Sequence, residues 1–220
     1  MKHYIMRLIF PVVLVALPFT GCGTLGMHKP SLKSAAPSEP KGPFVERLTG
    51  GQEGFVVTEV PRLAKAARQD FERAVDLIDA ADYEGAIALL EPLAAQSPMV
   101  TAPYINLAIA YAHMGRPEKA EPHLKTALTL MPAHPVASNA YGLLHRKAGR
   151  FTEARQVYEA SLGQFPEYYP LHRNLGILCD LYLNDPDCAL AHYQIYNRAI
   201  PQDEPVKMWI ADLKHRMGTP

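Results

Sequence analysis

The chain has 220 residues, 22 of them basic and 22 acidic, with 48% hydrophobic content and three cysteines. Balanced charge excludes a long-range electrostatic pull toward nucleic acid or an acidic lipid surface, so any partner must be selected by a local patch. The cysteine count and modest apolar content exclude a disulfide-dense scaffold and a polytopic membrane protein, and the length leaves room for about one domain with a leader and a linker.

Residues 1–21 carry Lys2, His3 and Arg7 and no acidic group, followed by an apolar run from Leu8 to Phe19. A charged start before a short apolar core is the form of an export signal. The run is about 12 residues, against about 20 needed to cross the hydrocarbon core, and Pro11 and Pro18 interrupt it. It ends in Phe19-Thr20-Gly21-Cys22, which resembles the lipobox of bacterial lipoproteins. That resemblance implies cleavage before Cys22 and a diacylglyceryl group on its thiol. Gly23 stands where inner-membrane members carry Asp, which implies the periplasmic face of the outer membrane. Each acyl chain would add about 0.8 kcal/mol per buried CH₂, enough for firm anchoring when two or three act together.

Residues 22–61 are rich in Gly, Pro, Ser and charge without a sustained helical or strand period, and read as a flexible linker. Such a segment averages roughly 35 Å end to end and stretches to about 125 Å. Its one apolar cluster, Phe55-Val56-Val57, is expected to lie as a short extended piece on the first helix.

From residue 62 to 201 the chain repeats with a step of 34. Ala86, Ala120 and Ala154 recur at that step, as do Pro98, Pro132 and Pro166, and a small residue recurs at Ala74, Ala108, Gly142 and Gly176. Two antiparallel helices approach closely only where side chains are small, and proline stops a helix before the next unit begins. With Asn106-Leu107-Ala108-x-x-Tyr111 and Asn174-Leu175-Gly176, these residues resemble the tetratricopeptide repeat. The resemblance implies an all-α superhelical array of about four helix hairpins, at 67–100, 101–134, 135–168 and 169–202. The fourth needs one inserted residue within Leu183–Asp187. Residues 203–217 form an amphipathic capping helix with Val206, Trp209, Ile210 and Leu213 on its apolar face.

No phosphate loop, nucleophile elbow or convergent metal-ligand set appears, so neither enzymatic activity nor a metal or other cofactor is expected. His113, His123, His134, His145 and His172 fall at different places in the repeat. Cys179 and Cys188 flank the enlarged fourth turn, and either a disulfide or two buried thiols fits them.

The family's groove positions carry over to Arg68, Phe71, Val75, Ile78 and Asp79 in the first unit and to Ile105, Ile109, Ala112 and His113 in the second. The third contributes Val136, Asn139, Leu143, Arg146 and Lys147, and the fourth Arg173, Ile177, Asp180 and Leu181. This describes a groove apolar at its N-terminal end and polar at its C-terminal end. Asn139 and Arg173 suit a peptide backbone or carboxylate, although Arg146, Lys147 and Arg173 equally suit a plain solvated face. The Lys and Asn of the chaperone-type carboxylate clamp are absent from the first unit, where Phe71 and Val75 stand.

The expected role is a lipid-anchored scaffold or adaptor for an envelope protein, with no nucleic-acid partner. Residues 174–183 and 206–213 resemble the accessory repeat proteins of TonB energy-transduction systems. The alternatives are a pilotin-like assembly factor for type IV pili or secretion machinery and a permanent subunit of an envelope enzyme complex.

Overall fold

The computed structural model describes residues 44–47, 55–58 and 62–218. The export signal and Cys22 lie outside the described residues. Those described form a hairpin of β1 (Phe44–Arg47) and β2 (Phe55–Thr58), then α1 (Lys65–Asp79), α2 (Tyr83–Gln96), α3 (Thr101–His113), α4 (Pro117–Leu130), α5 (Pro135–Lys147), α6 (Phe151–Gln164), α7 (Tyr169–Leu181), α8 (Pro186–Ala199) and α9 (Glu204–Arg216). Each helix packs on its sequence neighbours, and α1, α3, α5 and α7 also pack side by side. This is the expected repeat array of helix hairpins, closed by α9 against α8.

The turns follow from backbone chemistry. Ala81, Gly115 and Gly149 are the second residues after their helices and adopt left-handed conformations, with φ of 62°, 70° and 74°. Asp82, Arg116 and Arg150 then donate their amides back to the carbonyls of Leu77, Tyr111 and His145, which satisfies groups the helix end leaves open. In the fourth hairpin the inserted residue lengthens the turn. Asn184 takes the left-handed position, and the Asp185 amide reaches one residue further back, to the Cys179 carbonyl. Second helices end just before the periodic prolines 98, 132, 166 and 201, which cannot supply a helical amide.

Packing inside the hairpins explains the small residues. Added to Gly176, a Cβ would lie 2.5 Å from the Tyr193 ring, and one added to Gly142 would overlap Tyr158. The same places in the first two units hold Ala74 with Leu90 and Ala108 with Leu124, all essentially inaccessible to solvent. A larger partner on the second helix therefore goes with a smaller residue on the first. Cys179 and Cys188 are disulfide-bonded, with Cα atoms 5.9 Å apart, and join α7 to α8 across the enlarged turn.

The N-terminal linker contains more structure than its composition suggests. β1 and β2 pair antiparallel with Val45 opposite Val57 and Arg47 opposite Phe55, which puts those four side chains on one face of the hairpin. The Phe55 ring sits 4.9 Å from Tyr168 and 6.0 Å from Tyr169, and the Arg47 guanidinium lies 6.0 Å from the Tyr169 ring centre. Phe55 thus meets the α6–α7 junction, whereas its sequence neighbourhood suggested the first helix. Neither four-residue strand is a recognisable run by itself. Their order comes from pairing and from an aromatic surface that distant residues supply.

Candidate protein-binding surface

The first-helix layer α1–α3–α5–α7 holds every residue assigned to the groove, yet its two ends differ. In α3, residues 101–103, 105–108, 110 and 111 are buried, because α1, α2, α4 and α5 all pack against this helix. A helix apolar nearly all round belongs inside. Ile105 is therefore a core residue and not a groove residue, as are Phe71, Val75, Ile78 and Val136. Ile109 is half-buried against the same core, and His113 is exposed but stacked on Tyr83, with ring centres 5.1 Å apart. The apolar N-terminal groove read from the sequence is in fact interior.

The C-terminal end is open and polar. Asn139 on α5 accepts a 2.7 Å hydrogen bond from the Asn174 amide on α7. Leu143, Arg146 and Ile177 are half-buried beside them, and Lys147 is exposed. Arg146 lies over the Tyr182 ring, 5.8 Å from its centre, and one of its terminal nitrogens is buried with no hydrogen-bond partner among the described residues. Arg173 does not share a channel with Asn139 in the way its repeat position suggests. Its guanidinium stacks 5.1 Å over Trp209 and pairs with Asp203 at 3.7 Å, so it fastens α7 to α9. Asp180 is held by Arg216 at 2.6 Å and by the Tyr193 hydroxyl at 3.4 Å.

Asn174, Asp203 and Trp209 are the groove partners that the sequence reading passed over. Asn174 was visible in the Asn174-Leu175-Gly176 signature, but its bond to Asn139 depends on how two units stack. The contact of Trp209 with both Arg173 and Tyr193, whose ring is 5.6 Å away, needed the position of α9.

Behind this surface lies a set of titratable groups. Glu121 on α4 receives hydrogen bonds from Arg150 at 3.0 Å and Tyr141 at 3.3 Å, with Lys125 at 2.9 Å. The Arg150 bond, followed by that of Lys125, holds its carboxyl at about 2. His134 caps α5, its Nδ1 accepting from the Val136 and Ala137 amides at 3.2 and 3.3 Å. Burial pushes it down to about 4. His172 Nε2 donates to the Pro166 carbonyl at 3.0 Å, since a carbonyl can only accept, which leaves Nδ1 of the neutral ring to accept from His192 Nδ1 at 2.8 Å. Burial and then the neighbouring His172 lower His192 to about 4. Periodicity gave no sign of this pair, because the two rings meet across α7 and α8.

Cys179, Asp185 and Cys188 bring three metal-ligating groups within reach of one another. The disulfide uses both sulfurs, while Asp185 caps α8 and pairs with Arg155 at 3.1 Å, so the group serves as structure. No helix among the described residues is long and apolar enough to cross a membrane.

Stacked first helices with polar side chains on the last two units form a repeat scaffold consistent with protein–protein interaction. Residues 99–167 match one tetratricopeptide repeat model and residues 140–204 another. Residues 99–204 of the chain thus carry tetratricopeptide repeats. Similar solved structures include PilF of Pseudomonas aeruginosa, with a TM-score of 0.65 and 20% identity over 70% of this chain and 69% of that one. PilW, described as a widely conserved type IV pilus biogenesis factor, has a TM-score of 0.62 and 23% identity over 70% and 71%. A thermophilic repeat protein of Thermus thermophilus has a TM-score of 0.60 and 20% identity over 68% and 81%. At such identities the likeness is one of fold. No curated protein matches the chain.

Proposed function

We propose that this protein is a lipid-anchored adaptor: Cys22 holds it at the periplasmic face of the outer membrane, and the open C-terminal half of the array binds an envelope protein. The observation that carries this reading is the union in one chain of a lipobox-like Phe19-Thr20-Gly21-Cys22 with a repeat array whose polar residues Asn139, Arg146 and Lys147 lie on α5, the last two about two turns beyond the first. An arginine stacked on Tyr182 beside the Asn139–Asn174 amide pair suits a segment rich in carbonyl or carboxylate oxygens. Within this reading the partner belongs to a TonB-type energy-transduction system, on the resemblance carried by residues 174–183 and 206–213. A second reading, an assembly factor for a type IV pilus, draws on the shared fold with PilW.

One experiment tests both halves of the proposal. The full chain is expressed in a Gram-negative host with labelled palmitate, as wild type, as Cys22→Ser and as Asn139→Ala/Arg146→Ala, and cross-linked partners are recovered. Cys22→Ser should take up no label. The groove variant should be labelled and folded but recover its partner at least about tenfold less well, since one desolvated charge-assisted bond contributes about 1.5–3 kcal/mol. Label in Cys22→Ser, or unchanged recovery by the groove variant, refutes the corresponding half. Recovery of TonB-complex or of pilus components separates the two readings.

A further inference from the structure

We infer that the α6–α7 junction is a second binding surface, one that accepts an extended two-stranded segment, and that strands 44–47 and 55–58 of this chain are its resident occupant. The surface is made by Tyr168, the residue immediately before α7, and Tyr169, the first residue of that helix. The hairpin presents Phe55 to both rings and Arg47 to the second, while Val57 is almost wholly buried and Val45 packs against the same core.

Three features distinguish this from incidental contact. The alternation is consistent on both strands: Val45 and Arg47 on β1, and Phe55 and Val57 on β2, share one face of the pair, the face from which Phe55 and Arg47 meet the tyrosines. The two ends of the contact are far apart in sequence, so local chain geometry does not enforce it. An isolated two-stranded hairpin is marginal in water, so its order derives from the surface beneath it. The ring contact is also small, Phe55 and Arg47 on two tyrosines, which places it at the low end of local stability and makes it exchangeable. The segment that fits has an aromatic residue and a β-branched residue two apart, with an arginine opposite the aromatic.

The consequence reaches both ends of the chain. On the anchored reading, docking of β1 shortens the free tether to the residues before Phe44, so the maximum reach between lipid and array falls from about 125 Å to roughly 70 Å. Undocking releases the array and bares Tyr168 and Tyr169 at the head of α7, the helix that carries Asn174 and Ile177. The hairpin is thus a strap that couples reach to occupancy of the array.

The test uses the full chain and a fluorescent synthetic peptide spanning residues 42–60. Wild-type protein should exclude the peptide, because its own hairpin fills the surface. The variant Phe55→Ser/Val57→Ser should bind it saturably, and adding Tyr169→Ala should weaken that binding by about tenfold or more. Hydrogen exchange gives an independent readout: the amides of residues 55–58 should exchange at least about tenfold faster in Tyr169→Ala than in wild type, while the helical melting curve stays in place. Equal peptide binding by wild type and the strap variant, binding by neither, or unchanged exchange in Tyr169→Ala overturns the inference. None of these outcomes depends on lipidation or on the envelope partner, so the adaptor reading stands or falls separately.

Discussion

The last two helix hairpins bring glycine against tyrosine, Gly142 against Tyr158 and Gly176 against Tyr193, and at the equivalent places the first two hold buried alanine and leucine, Ala74 and Leu90, Ala108 and Leu124. Both solutions fill a similar volume, since the methyl lost from one helix makes room for the ring on the other. They differ in what they carry to the surface. A leucine ends inside the core, whereas the Tyr193 ring delivers a hydroxyl to Asp180 on α7. Tyr158 brings its hydroxyl to the neighbourhood of Arg146. The half with tyrosine in its core is also the half with the polar open face, the disulfide and the partly buried histidine pair. One repeat plan therefore supports an apolar, closed N-terminal half and a polar, accessible C-terminal half.

The strongest way to break this comparison is Gly142→Ala, which drives a methyl into the buried Tyr158 ring. It should cost about 3 kcal/mol or more, at the top of the overpacking range. Adding Tyr158→Leu rebuilds the Ala–Leu pairing of the first half and should recover most of the loss. Denaturant melts showing additive effects would mean that the two positions do not compensate each other.

Replacing Cys179 and Cys188 together by serine removes a short covalent loop from the C-terminal half and should cost about 2–3 kcal/mol. The destabilisation should appear first as faster hydrogen exchange in α7 and α8. Exchange rising equally in α1 and α2 would count against the two halves being energetically distinct.

Acid should act in two stages, first within the C-terminal half and then at its seam with α4. His134 and His192 are held neutral by burial, each at about 4 against an ordinary 6.5. The unfolded chain binds protons first, so stability falls as pH drops from about 6.5 to about 4 and then levels for these groups. Glu121 has the opposite starting charge but the same slope. Its depressed value means that the stabilisation by Arg150 and Lys125 is complete above about 4.5 and is lost as pH falls toward 2. Measured stability against pH should therefore lose part of its upper stage in His192→Gln relative to wild type, His134 keeping the rest, and should lose its lower stage in Glu121→Gln. A flat profile between pH 6.5 and 4 in the wild type would contradict the buried neutral imidazoles.

The smallest effect concerns the one turn in which the first half departs from the rest. Ala81 holds the left-handed position that Gly115, Gly149 and Asn184 occupy elsewhere. Ala81→Gly relieves about 1–2 kcal/mol of backbone strain against about 0.5–1 kcal/mol of added unfolded-state entropy, a net gain of roughly 0.5 kcal/mol. A loss of stability in thermal melts would show that the Ala81 side chain contributes packing that its exposed position does not suggest.

What the sequence alone determined is whatever repeats. The 34-residue step of Ala86, Ala120 and Ala154, the periodic prolines and the small residues at 74, 108, 142 and 176 specify paired helices, their ends and their order, because each acts within its own hairpin or at its own turn. The extra residue before Asp185 and the amphipathic face of α9 were legible for the same reason. Only tertiary structure decided which groove positions are open. Ile105, Phe71 and Val75 occupy groove places in the repeat but are core, since burial is set by the helices that stack on either side. The turning of Arg173 to Asp203 and Trp209, the pairing of His172 with His192 and the seating of Phe55 on Tyr168 and Tyr169 each join residues on separate elements. Sequence periodicity describes one element at a time, and such contacts come into being only when whole units are packed together.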